Sequence, residues 1–132
     1  MKKEVLSISG VKKPGSPFSH VVRAGEFLFL TSQLSSDLRT GKLVSGGVRD
    51  QTRKALENIR FLLEGSGSGM DRVVKATVYM RDVSRFGEMN VAYREFFVEG
   101  EEPARVTIQA PSPIEGIDVE IDVIAIAGSL AR

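Results

Sequence analysis

The segment that most restricts the fold is the apolar run Val123-Ile124-Ala125-Ile126-Ala127 near the end of the chain. It belongs to a strand predicted over residues 118–127, and successive side chains of a strand point to opposite faces of a sheet. Both faces of this strand are therefore apolar and both need cover. Because two helices can cover only one face of a mixed sheet, a symmetric homo-oligomer is expected to cover the other. Clefts between its subunits would be natural small-molecule sites.

Hydrophobic periodicity predicts the first half of the fold. A short strand is expected over residues 5–9, followed by a hairpin whose strands, residues 21–24 and 27–30, are joined by a glycine-containing turn. A helix is expected over residues 48–64, because its apolar side chains recur at intervals of four and three. These residues are Val48, Thr52, Ala55, Ile59 and Leu62.

The second half repeats the alternation of strand and helix. Residues 73–80 alternate as a sheet strand does. A second helix follows, with Asp82 or Ser84 placed to cap it. Its apolar stripe consists of Phe86, Met89, Tyr93 and Phe96 or Phe97. Strands over residues 106–108 and 118–127 complete the order β-β-β-α-β-α-β-β, which predicts an α+β fold: a mixed sheet with two helices on one face.

Composition narrows the classes of function. The 132 residues are expected to form one domain over residues 1–132. A formal net charge of +1 gives no general attraction for a phosphate backbone or an anionic membrane, so neither partner is expected. The absence of cysteine and the presence of one histidine exclude cysteine-ligated and histidine-rich metal sites. No apolar stretch of the signal-peptide kind is seen, and a cytoplasmic location is expected.

Two charged residues stand in otherwise apolar, strand-like sequence. Arg105 lies within Pro103-Ala104-Arg105-Val106-Thr107, and Glu120 lies within Val119-Glu120-Ile121. An unpaired charge is costly in such a setting, so each requires a partner. The two can neutralise each other on neighbouring strands, or they can hold a ligand. Residue type and spacing leave both interpretations open.

Several short motifs occur together in an order and spacing that resemble the YjgF/Rid family over nearly the whole chain. They are Pro17-Phe18-Ser19-His20, Thr31-Ser32-Gln33, Thr40-Gly41, Gln51-Thr52-Arg53, Leu56-Glu57-Asn58, Phe86 with Asn90 and Tyr93, Pro103-Ala104-Arg105 and Val119-Glu120-Ile121. The resemblance implies a chorismate mutase-like fold and a homotrimer with a central barrel and ligand clefts between subunits. It also implies hydrolysis of reactive enamines and imines of the 2-aminoacrylate type to 2-keto acids and ammonia, the activity of the RidA branch. Many members are described instead as endoribonucleases or translation inhibitors.

The resemblance assigns a role to each of the two charged residues. Arg105 matches the arginine that binds the substrate carboxylate, a task suited to a guanidinium, which can donate two parallel hydrogen bonds. Glu120 matches the carboxylate that orients the attacking water and takes its proton. No metal or organic cofactor is expected, because a protonated C=N bond is already electrophilic.

Four further residues are expected to bind the substrate: Phe18, Ser32, Asn90 and Thr107. Phe18 stands where the deaminating branch has tyrosine, Thr31-Ser32-Gln33 replaces Ser-Gly-Gln, and Thr107 replaces a usual cysteine. Asn90 either contributes an amide to the cleft or makes a hydrogen bond at the helix surface. These departures leave the substrate open.

Three alternative functions, each from a different class of protein, remain open. Arg105 with Glu120 favours the imine deaminase, and the altered cleft favours a carboxylate-binding module without turnover. The endoribonuclease has little support, because the sequence has no basic groove or aromatic stacking ladder. The lone His20 is expected to satisfy a local hydrogen bond rather than act as a general base.

Overall fold

The computed structural model describes residues 1–128. The helices and strands, in chain order, are β1 (Lys3–Leu6), β2 (Val21–Ala24), β3 (Phe27–Gln33), α1 (Val48–Gly65), β4 (Val73–Met80), α2 (Phe86–Tyr93), β5 (Ala104–Gln109) and β6 (Val119–Ile126). Short 3-10 turns precede β4 and flank α2. The predicted element order and the α+β class are confirmed.

The strands form one sheet in the order β1-β2-β3-β6-β4-β5. Only β4 and β5 run parallel, because the chain between them crosses over through α2, whereas the other neighbours are antiparallel. The C-terminal strand β6 thus lies in the middle of the sheet, between β3 and β4. This central position pairs both edges of β6, but it does not by itself cover either face of the strand.

Both helices pack on the same face of the sheet. From β6 this face receives Val119, Ile121, Val123 and Ala125, each at most 1% exposed. Helix α1 lies on it with Ala55, Ile59 and Leu62 fully buried, as its periodicity predicts. Helix α2 packs beside α1 and brings Met89 and Tyr93 into the same core. The prediction of two helices on one face is therefore confirmed.

The opposite face, called the open face below, is not covered by any element within residues 1–128. Phe27 and Phe29 are each 44% exposed there. Ile126 pairs with Phe27 and Ile124 with Phe29 across the strands, so the four side chains form one apolar patch. An exposed patch of this kind is typical of a protein interface. The homo-oligomer remains a prediction.

Several element bounds differ from the predictions: β3 extends to Gln33 rather than ending at residue 30, and α1 ends at Gly65, one residue later than predicted. The first strand lies at Lys3–Leu6 rather than over residues 5–9, because its pairing with β2 runs from Lys3 opposite Ala24 to Leu6 opposite Val21. The fifth strand extends to Ala104–Gln109 and so includes Arg105. The last strand spans Val119–Ile126, slightly inside the predicted residues 118–127.

The second helix also departs from its predicted stripe. Phe86 is 52% exposed, whereas Met89 and Tyr93 are buried. The helix ends at Tyr93 and passes into a 3-10 turn before Phe97. Asp82 does accept a capping bond from the Ser84 backbone N–H, but it caps the 3-10 turn that leads into α2. Within residues 1–128 no helix has the length and hydrophobicity to span a membrane.

Candidate functional site

Two side chains of helix α2 contact the Arg105 side chain on the helix-covered face of the sheet. Parallel pairing with β4 sets Arg105 opposite the buried Ala76, so its side chain leaves β5 on the helix-covered face. The guanidinium Nη1 donates a 2.7 Å hydrogen bond to Asn90 Oδ1. Its Cζ lies 4.7 Å from the centre of the Tyr93 ring, a cation–π distance. Asn90, predicted to bind substrate, here fixes the orientation of Arg105.

No acidic side chain neutralises Arg105 in residues 1–128, since none lies within 4.0 Å of its guanidinium nitrogens. A cavity of about 270 Å³ opens beside it, lined by Asn90, Tyr93, Arg94, Glu102, Pro103 and Arg105. Glu102 also lines this cavity, but its carboxylate lies more than 4.0 Å from the guanidinium nitrogens. The arrangement suits an incoming planar anion.

Two buried hydroxyls near Arg105 make no hydrogen bond within the described part of the chain: those of Tyr93 and Thr107. Tyr93 is only 5% exposed, and burial raises the pKa of its phenol to about 12, although the Arg105 charge pulls in the other direction. Thr107 leaves β5 on the same face as Arg105, two residues further along. Unpaired buried hydroxyls are rare and mark this side of the sheet as unusual.

Glu120 leaves the central strand β6 on the open face, opposite Tyr79 of β4. Its Oε1 accepts a 2.8 Å hydrogen bond from the Ser32 hydroxyl. A bulge in β3 makes this contact possible. Leu30 pairs with Val123 and Gln33 pairs with Ile121, so β3 uses one residue more than β6 between the two pairs.

A second pair of polar side chains lies next to Glu120 on the open face. Tyr79 donates a 2.7 Å hydrogen bond to Asp122 Oδ2, and this bond is the main reason that the pKa of Tyr79 is raised to about 12. A cavity of about 340 Å³ is lined by Thr31, Ser32, Tyr79, Glu120, Asp122 and residues 110–113. Tyr79 and Asp122 were not predicted as site residues. The sequence did contain a signal for Tyr79: side chains alternate along β4, so Tyr79 and the buried Val78 point to opposite faces of the sheet.

Phe18 and His20 line a different cavity, which also includes Ser32. The Phe18 ring meets the His20 ring edge to face at 5.7 Å, and both line a cavity of about 280 Å³ together with Ser32 and Gln33. The Gln33 amide lies 3.1 Å from His20 Nδ1, and burial lowers the pKa of His20. An amide N–H donated to Nδ1 favours the neutral imidazole with its proton on Nε2. The expected local hydrogen bond of His20 is present.

The predicted site residues thus fall into two separate groups. Arg105, Asn90 and Thr107 lie around α2 on the covered face, whereas Glu120 lies on the open face with its partner Ser32. Phe18 belongs with the second group, because it lines a cavity together with Ser32. Strand β4 separates β5 from β6, so Arg105 and Glu120 are not on neighbouring strands. The interpretation of the two charges as an ion pair within the chain is therefore wrong. In residues 1–128 no cluster of three or more His, Asp or Glu side chains is placed to hold a metal ion.

Comparisons with known proteins match this fold and these motifs. The family model described as Endoribonuclease L-PSP matches residues 11–127. A RutC family protein of Pyrococcus horikoshii is 41% identical over 93% of this chain and 97% of its own length. Human 2-iminobutanoate/2-iminopropanoate deaminase is 34% identical over 93% of this chain and 90% of its own.

Solved structures agree with the sequence comparisons. A Rid family protein from Yersinia pestis superposes with a TM-score of 0.87 and 28% identity, covering 96% of this chain and 100% of that one. Both the family model and the relatives span nearly the whole chain, and the resemblance seen in the motifs is confirmed. The chain belongs to the Endoribonuclease L-PSP family, the YjgF/Rid proteins.

Proposed function

We propose that the protein hydrolyses reactive imines and enamines of 2-amino acids to 2-keto acids and ammonia. The observation that carries the proposal is the unneutralised Arg105 guanidinium, fixed by Asn90 and Tyr93 beside an open cavity. A 2-imino acid has the planar carboxylate that such a guanidinium binds. Relatives about 35% identical are named 2-iminobutanoate/2-iminopropanoate deaminase, which supports this activity over others in the family.

The catalytic site is proposed to form between subunits of a homotrimer. Arg105 and Glu120 leave opposite faces of the sheet, so they cannot meet around one small substrate within a chain. The apolar patch of Phe27, Phe29, Ile124 and Ile126 supplies a surface through which copies associate. Arg105 of one subunit would then face the Ser32–Glu120 pair of the next.

The chemistry needs only these side chains and water. Arg105 binds the substrate carboxylate, and the Glu120 carboxylate accepts a proton from a water molecule as its oxygen adds to the C=N carbon. The imine nitrogen is already protonated, so the C=N electron pair moves to it and a neutral amino group forms. Glu120 returns its proton to this nitrogen. The C–N bond then breaks and ammonia leaves, while the hydroxyl of the tetrahedral carbon gives its proton to Glu120 and the C=O bond forms; that proton passes on to the released ammonia. The Ser32 hydroxyl, 2.8 Å from Glu120 Oε1, holds the carboxylate in one orientation during these transfers.

Two substitutions separate binding from turnover. Arg105→Ala is expected to abolish binding of pyruvate or 2-oxobutyrate, whereas Glu120→Gln is expected to keep binding and lower kcat, each loss being on the order of 2 to 4 kcal/mol. Calorimetry measures the first and ammonia release from 2-iminopropanoate generated in the assay measures the second. Wild-type binding without ammonia release would establish the carboxylate-binding module instead. RNA cleavage that survives Arg105→Ala would favour the endoribonuclease.

Subunit complementation tests the composite site directly. The two inactive variants are unfolded, mixed in equal amounts and refolded together. If each site takes Arg105 from one subunit and Glu120 from the next, about a quarter of the sites in random trimers carry both groups. Mixed trimers should therefore recover about a quarter of the wild-type activity. A mixed trimer that stays as inactive as its parents would refute a site shared between subunits.

A further inference from the structure

We propose that the cavity beside Ser32 selects imino acids whose side chain ends in a second negative charge, such as the imine of glutamate. The inference rests on the proposed function, because it assigns the substrate class of the same site. It is drawn from the shape and charge of the cavity of about 280 Å³ that Ser32, Phe18 and His20 line.

The walls of this cavity are largely apolar. Its apolar side chains are those of Pro14, Phe18, Leu34, Leu38, Leu43 and Ile114. The nearby polar groups mostly have partners of their own: Ser32 donates to Glu120, and Gln33 bonds to His20. Asp37 accepts from the Arg39 backbone N–H at 2.8 Å and lies 3.7 Å from its guanidinium. A methylene chain can therefore enter without displacing a required hydrogen bond.

Two lysines, Lys12 and Lys13, line the same cavity. No acidic side chain of residues 1–128 lies within 4.0 Å of either ammonium group. The backbone holds Lys12 in place, since its N–H donates a 2.7 Å hydrogen bond to the Leu38 carbonyl. Its Cδ also lies 3.4 Å from where a side chain at Gly41 would begin. The cavity thus combines an apolar wall with two ammonium groups that have no carboxylate within 4.0 Å in the described part of the chain; Asp37, which also lines it, is engaged by Arg39.

The position of Glu120 indicates where the substrate side chain extends from the C=N carbon. The proposed water-activating Glu120 contacts Ser32, and Ser32 also lines the lysine cavity. With the substrate carboxylate on Arg105 of the adjacent subunit, the C=N carbon lies near Glu120 and the side chain extends past Ser32. An aliphatic chain ending in a carboxylate satisfies both the apolar wall and the lysines. A neutral chain of equal length can pack against the apolar side chains but cannot pair with the lysines.

The test compares imines of glutamate and methionine, which have chains of similar length but different charge, each generated in the assay by an amino-acid oxidase. The wild type is expected to show the higher kcat/KM on the glutamate imine. The double variant Lys12→Met/Lys13→Met keeps the aliphatic stems and should lose about fivefold or more on this substrate alone, the size expected from exposed ion pairs. Lys2→Met, which removes a positive charge outside the cavity, should change neither rate.

Equal losses on both imines, or no loss on either, would overturn the inference. If the wild type hydrolyses no imine, the proposed function fails, and binding of the keto acids then decides the inference by itself. Calorimetry should give tighter binding of 2-oxoglutarate than of 2-oxohexanoate, with the difference lost in the double variant. Equal affinities for the two keto acids would overturn it.

Discussion

Removing one oxygen atom from each of two tyrosines should change stability in opposite directions. The pKa values of Tyr79 and Tyr93 are both raised to about 12, but for different reasons. Tyr79 donates a 2.7 Å hydrogen bond to Asp122, whereas the buried Tyr93 hydroxyl has no partner within residues 1–128. Tyr79→Phe therefore removes a hydroxyl that is hydrogen-bonded, whereas Tyr93→Phe removes a buried hydroxyl that is not.

The magnitudes follow from the environment of each hydroxyl. A buried hydroxyl without a partner costs about 1 to 3 kcal/mol, so Tyr93→Phe should raise the free energy of unfolding by about 1 kcal/mol. Tyr79→Phe should lower it by about 1 kcal/mol, because a bond to a carboxylate is strong but this pair is only partly buried. Each change corresponds to about 3 to 5 °C in Tm for a chain of this size.

Thermal unfolding followed by circular dichroism at pH 7 measures both variants. The protein concentration must be fixed, since association shifts Tm. If Tyr93→Phe destabilises by more than 1 kcal/mol, the hydroxyl has a partner in the assembled protein and its description as unpaired is wrong. Keto-acid binding provides a second reading: Tyr93→Phe keeps the ring beneath Arg105 and should bind normally, whereas Tyr93→Leu should bind more weakly.

Further predictions concern pH, a buried amide, the ring at position 18 and assembly. The pKa of Tyr79 and of Tyr93 is about 12 in the folded protein and about 10 in the unfolded chain, so the folded state binds more protons between these values. The free energy of unfolding should therefore fall as pH rises from about 10 to about 12. Each Tyr→Phe variant should show a smaller fall in Tm over this range. Asn58→Ala removes two hydrogen bonds to backbone carbonyls, those of Leu34 and Ser36, and should cost about 2 kcal/mol in urea unfolding. Phe18→Tyr should preserve or raise kcat/KM on 2-iminopropanoate if the cavity still accepts the small imines of its relatives; equal kcat/KM for wild type and variant on both this substrate and the bulkier leucine imine would remove Phe18 from the site. Light scattering at micromolar concentration should give a trimer mass, and a monomer mass would remove the composite site.

Local patterns in the sequence were sufficient to predict the element order. The spacing of Ala55, Ile59 and Leu62 identified α1, and all three side chains are fully buried. The alternation in β4 correctly separated its buried residues from the outward-facing Tyr79. Such patterns report which face a side chain takes within its own element, and they need no knowledge of partners.

Long-range pairing was not available from these patterns. One of the two interpretations left open for Arg105 and Glu120, an ion pair, placed them on neighbouring strands, but β4 lies between β5 and β6. Strand order depends on contacts between segments far apart in sequence, which no local period encodes. The same reason accounts for the misplaced first strand, whose bounds are set by its register with β2. Candidate site residues could be named individually from the sequence, but which of them lie close together could not be predicted.

The bulge in β3 shows how much of the site depends on such pairing. Regular alternation would send Leu28, Leu30 and Ser32 to one face, the face covered by helices. The extra residue between Leu30 and Gln33 instead returns Gln33 to the covered face and leaves Ser32 free to reach Glu120. The sequence alone does not predict this bulge within Leu30-Thr31-Ser32-Gln33, because a bulge is defined only by the pairing with a partner strand. The hydrogen bond proposed to orient the water-activating carboxylate therefore depends on the register between β3 and β6 as much as on the two side chains themselves.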